Sequence, residues 1–156
     1  MGTTYQTIYE HAQSNLTDWQ LDAVYETDVS AYEAILKQYL LRAIVNFEHC
    51  VTDIESRDDI AQTFDNDLTL LEQIILADLL VLAWLEHSIQ DANQMNLHVR
   101  DSEFNISSEA ANLKAKLDLR GQLESRVKQM KINYSLNKVV NWSDWSNGIY
   151  NTNASS

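Results

Sequence analysis

The chain has no proline, three glycines and one cysteine. Average usage would give about 5% Pro and about 7% Gly. The usual punctuation of loops is therefore missing, and long uninterrupted helices are expected. A single cysteine excludes an internal disulfide framework and any multi-cysteine zinc site. Basic residues are scarce: 11 Lys+Arg stand against 23 Asp+Glu, a formal net charge of -12. A general nucleic-acid binder normally needs a basic face, so this balance argues against one. Met1 leads into Gly2-Thr3-Thr4 with no basic-then-apolar leader, and a soluble, intracellular protein is expected. The most apolar stretch, Leu70–Leu85, is 16 residues long and is broken by Glu72, Gln73 and Asp78. A membrane span needs about 18 or more apolar residues, so this stretch predicts a buried core helix.

What is present is ordinary in amount. At 156 residues one domain is the natural count, and 45% hydrophobic residues is normal for a globular protein. Tyr5, Ile8, Tyr9 and Ala12 give a first helical segment. Thr17 and Asp18 offer a cap for a short second one containing Trp19, Leu21, Val24 and Tyr25. From an N-cap at Asp28, a long helix is predicted to about Thr52. Its stripe is Val29, Tyr32, Leu36, Tyr39, Ala43, Phe47 and Cys50, widened by Ile35, Leu40 and Ile44. Residues 53–66 are acidic and irregular and predict a loop with one helical turn.

Thr69-Leu70-Leu71-Glu72 matches a capping box, so the second long helix is expected to open there and run to about Ala92. Its apolar residues cover more than one face, which suits a central helix contacted from several sides. Met95, Leu97 and Val99 alternate with polar residues, and Phe104 and Ile106 follow a polar turn. That pattern signals a small β-hairpin around 95–106. Ser107 then caps a third long helix striped by Leu113, Leu117, Leu123, Val127, Met130 and Tyr134. From Ser135 the helical pattern fades into an Asn/Ser-rich tail. The expected organisation is a helical domain over 1–134 and an extended C-terminal tail over 135–156. The fold class is mainly α: a bundle of three long helices, short N-terminal helices and the possible hairpin.

Catalytic chemistry is sought and not found. Three isolated glycines cannot build a phosphate loop. Of His11, His49, His87 and His98, none pairs with another at helical metal spacing, and none closes a Glu-x-x-His motif. Asp65-Asn66-Asp67 opens like a calcium loop, but Leu70 and Leu76 stand where Gly and Glu are needed. Asp58 and Asp59 read as solvated loop acids, and Cys50 as a buried, inert thiol. No enzyme, no cofactor and no metal are expected.

Charge is unevenly spread. Residues 1–109 hold 4 Lys+Arg and 20 Asp+Glu, a net -16; residues 110–156 hold 7 and 3, a net +4. Two arrangements fit this split. The cationic last helix lies against its own acidic body, or it meets the acidic part of a neighbouring copy. Trp142, Trp145 and Tyr150 sit in a tail without core periodicity, and Trp and Tyr are enriched at interface anchor points. These three and Phe104 are the candidate interface residues. The tail either folds back on its own bundle or docks on another chain.

This layout is similar to that of the head–tail connector (adaptor or neck) proteins of tailed bacteriophages. The shared features are a broad apolar pair of helices, an excursion at Met95–Ile106, a third long helix and an extended tail. Asp101-Ser102-Glu103-Phe104 and Ser107-Ser108-Glu109-Ala110-Ala111-Asn112-Leu113-Lys114 have the look of such sequences. The resemblance implies a homo-oligomeric ring of about twelve subunits. The ring would sit in the virion neck between the portal and other neck or tail proteins, its subunits made in the host cytoplasm. DNA would pass through without specific binding, and no membrane would be involved. An acidic DNA-mimic inhibitor and a helical accessory or regulatory protein are the alternatives.

Overall fold

A computed structural model describes residues 2–16, 24–98 and 106–139. The described chain is mainly helical: α1 (Tyr5–Gln13), α2 (Val29–Asn46), α3 (Leu70–His98) and α4 (Ile106–Val139). A two-stranded antiparallel sheet, β1 (Arg57–Asp58) and β2 (Thr63–Phe64), pairs Arg57 with Phe64 and Asp58 with Thr63. Residues 24–27 add a helical turn before α2.

α1 buries Tyr5, Ile8, Tyr9 and Ala12, the expected stripe. The chain before it lies along β2. Thr4 bridges Thr63, Phe64 donates its N–H to the Thr3 carbonyl at 2.8 Å, and Tyr5 donates to Gln62 at 2.9 Å. Gly2 is required by this approach, since a Cβ there would fall 1.7 Å from the Phe64 carbonyl oxygen. Gln62 turns the hairpin with a φ of 53°.

Asp28 caps α2 as expected, its carboxylate accepting from Ser30 N at 2.9 Å and Ala31 N at 3.1 Å. The helix buries Tyr32, Leu36, Leu40, Ala43 and Ile44, but it stops at Asn46 rather than near Thr52. Tertiary contacts end it. Lys131 Nζ donates to the Asn46 carbonyl at 2.7 Å, and the Phe47 ring tilts against Tyr134 with centroids 5.5 Å apart. Such partners satisfy the terminal carbonyls and hold the chain out of the helix.

α3 is the hub, packing against α1, α2 and α4. Every residue from Ile75 to Val81 is buried, all the way round the helix. That is the multi-faced burial its sequence predicts. α2 and α4 run antiparallel to α3: Tyr39 of α2 meets His87 while Thr52, just after α2, meets Glu72, and Arg126 of α4 meets Asp78 while Arg120 meets Glu86.

Three further features differ from the sequence expectation. A hairpin around 95–106 does not form at its ends, because residues 95–98 continue α3 and Ile106 begins α4; residues 99–105 lie outside the described residues. Short alternation is compatible with either period, and the continuing α3 prevails. The sheet among the described residues is at 57–64, in the stretch expected to be loop. α4 also continues through the expected tail boundary at 135 to Val139.

Candidate functional site

The capping box at the start of α3 does more than cap. Thr69 donates its N–H to Glu72 Oε2 at 2.8 Å and its hydroxyl at 2.9 Å, while Glu72 N–H returns to Thr69 Oγ1 at 3.4 Å. Glu72 is only 1% exposed. Its Oε1 accepts from the Tyr134 hydroxyl at 2.5 Å and from Thr52 N at 3.3 Å. The Thr52 hydroxyl lies 2.9 and 3.0 Å from the two carboxylate oxygens. Tyr134 in turn accepts the Val51 N–H at 2.7 Å. One carboxylate thus ties the 50–52 turn, the start of α3 and the end of α4 together.

Burial alone would raise the Glu72 pKa. The donors from Tyr134, Thr69 and Thr52 outweigh it and hold the carboxyl down to about 2. A catalytic base needs a pKa near the working pH. At neutral pH the Glu72 carboxylate is instead ionised and held by these donors. Cys50 lies 3.6 Å from the same carboxylate; burial, then the Glu72 charge, pushes its thiol up to about 11. The nucleophilic form of cysteine is the thiolate, so this thiol is not poised for attack.

Tyr134 of this anchor lines an open cleft of about 670 Å³. α2 and α4 flank α3, and the face of α3 between them carries Leu79, Leu82 and Ala83 as the cleft floor. The residues after α2, Phe47 and His49, form one side; Val127, Ile132 and Leu136 of α4 form the other. Glu48, Glu86, Glu124, Lys128 and Lys131 also line it, each at least partly exposed. An apolar floor with a charged rim is an anatomy shared with binding surfaces. Ile132 is 44% exposed and Leu136 55%, so the α4 wall offers uncovered apolar surface to a ligand.

The inner side of α4 uses its cations within the chain. Arg126 Nη2 lies 2.8 and 2.7 Å from the two oxygens of Asp78, which is 2% exposed. Burial raises the Asp78 pKa, and the Arg126 charge and hydrogen bond only partly offset it. Arg120 pairs with Glu86 at 3.5 Å. Lys116 donates to Ser88 and its ammonium stands 5.9 Å from the Trp84 ring. For these residues the basic helix lies against its own acidic body.

Asp58 and Asp59 do not form a paired acid site. Asp58 accepts from Ile60 N at 2.8 Å and Ala61 N at 3.0 Å, and Asp59 accepts from the Tyr5 hydroxyl at 2.7 Å. Among the described residues no group of three or more His, Cys, Asp or Glu gathers as a metal site. No helix among them is long and apolar enough to cross a membrane. The expected interface residues Phe104, Trp142, Trp145 and Tyr150 lie outside the described residues. Sequence reasoning missed the cleft and the partners of Glu72. The capping box marks Glu72, but nothing local in the sequence points to Thr52 or Tyr134.

No protein-family model, curated protein or solved structure matches this chain.

Proposed function

We propose that this chain is a structural, non-enzymatic subunit that assembles with copies of itself. The observation that carries the reading is the cleft over α3, with an apolar floor and the exposed Ile132 and Leu136 on its wall. Apolar surface of this kind gains free energy when another chain covers it. The charged rim supplies register and partner selection rather than chemistry. Two groups near the cleft are otherwise engaged: Glu72 by its donors, Cys50 by its raised pKa.

The form of assembly the layout resembles is a head–tail connector ring in the neck of a tailed-phage virion. Long helices suit a stiff wall, and a net charge of -12 disfavours adhesion of passing DNA phosphates. Sedimentation velocity and negative-stain electron microscopy of the purified protein test the reading. Discrete oligomers that include closed rings are expected. A chain that stays monomeric from micromolar to near-millimolar concentration, with no rings in the images, overturns it.

A further inference from the structure

We infer that the cleft over α3 receives the C-terminal segment, residues 140–156, of a neighbouring copy. This rests on the self-assembly reading and names the occupant of its site. The segment carries Trp142, Trp145, Ile149 and Tyr150 in 17 residues with a single charge, Asp144. Trp side chains bury roughly 150–250 Å² each and carry one polar N–H. An open cleft of about 670 Å³ with an apolar floor and a polar rim has room for such side chains.

The length of chain after α4 limits how the chain's own segment can fill the cleft, and a neighbour's segment has no such limit. The Arg126–Asp78 and Arg120–Glu86 pairs set the floor at Leu79–Ala83 level with α4 residues before Val127. Val127 lies twelve positions before Val139, the last residue of α4, or about 18 Å along the axis. Trp142 is three residues beyond Val139 and reaches at most about 11 Å even if the chain reverses at once. Within one chain the Trp142 backbone therefore stops short of the floor. A segment entering from another copy is free of this limit at both tryptophans. Repeated head to tail, that contact closes a ring; exchanged reciprocally, it makes a dimer.

The test uses full-length chains. Tail variant Trp142→Ala/Trp145→Ala and cleft variant Ile132→Glu/Leu136→Glu are each compared with the unaltered protein by sedimentation velocity. Circular dichroism checks that both fold. As a second cleft probe, Leu82→Glu charges the floor. Each variant alone is expected to weaken self-association at least tenfold, and an equimolar mixture of tail and cleft variants to recover dimers through the one intact tail–cleft pair. Association unchanged in the tail variant overturns the inference while leaving self-assembly standing. Failure of the mixture to recover dimers overturns it too. A monomeric unaltered protein overturns both readings.

Discussion

Tyr134, near the end of α4, donates its hydroxyl proton to Glu72 in the first turn of α3, 62 positions earlier, and accepts the Val51 N–H at 2.7 Å. The last long helix is thereby fastened to the start of the central one. The fastening also holds Tyr134 itself in the lining of the cleft. Tyr134→Phe removes the donor to Glu72 and the acceptor for Val51 together. A loss of about 1–3 kcal/mol in unfolding free energy is expected, the usual cost of stranding such groups. Urea denaturation measures it. A midpoint equal to that of the unaltered protein contradicts the role given to this hydroxyl.

The Glu72 carboxyl also sets a pH dependence. Its pKa is lowered from 4.5 to about 2 in the folded chain. A depressed carboxyl stabilises the fold above its unfolded pKa, and that contribution is lost as pH falls through the folded value. At 1.36 kcal/mol per pKa unit the contribution is about 3 kcal/mol. It should be complete above about pH 5 and gone near pH 2. Glu72→Gln is expected to lower stability at pH 7 and to flatten the decline between pH 5 and 2. Parallel stability–pH curves for the two proteins count against the assignment.

Asp78 shifts the opposite way. Burial raises its pKa above 3.8 despite Arg126, so its ionisation opposes folding, and stability tied to it falls as pH rises past the unfolded value. Removing Arg126 alone leaves a buried carboxylate without its cation. Arg126→Met is expected to cost roughly 1.5–3 kcal/mol, in the range for hydrogen bonds to charged groups. Asp78→Leu combined with Arg126→Met is expected to recover most of it, because a well-packed apolar pair often equals a buried ion pair. A double variant as unstable as Arg126→Met alone runs against this account.

Legibility in the sequence followed the range of each interaction. The α1 stripe, the Asp28 cap and the Thr69–Glu72 capping box depend on residues within about one or two helical turns, and all three form as the local pattern predicts. α3 was readable as a central helix because its apolar residues occupy every face. The early stop of α2 was not readable. Lys131 and Tyr134, which hold its end, come more than 80 positions later. The hairpin at 57–64 was hidden for a similar reason, since its second strand is supported by Thr3 and Thr4 from the N-terminus. The floor of the cleft looks like any other part of α3 until α2 and α4 are placed on either side.

That N-terminal support makes the strongest steric prediction. Gly2 lies so close to β2 that a Cβ would meet the Phe64 carbonyl oxygen at 1.7 Å and its carbon at 2.8 Å, both backbone atoms. Neither can swing aside like a flexible side chain, so the segment from Gly2 to Thr4 has to lift from β2. Lifting threatens the Thr3 N–H bond to Asn66 at 3.2 Å and the Leu68 N–H bond to Thr3 Oγ1 at 2.8 Å. Gly2→Ala is expected to cost about 1–3 kcal/mol, the range for overpacking a close contact. Gly121→Ala is the matched control, because nothing stands within 4 Å of a Cβ there. In a helix interior that change favours folding by roughly 0.5–1 kcal/mol. Thermal unfolding of the two variants should move the midpoint in opposite directions. Equal shifts would show that the N-terminal segment does not hold this position on the sheet.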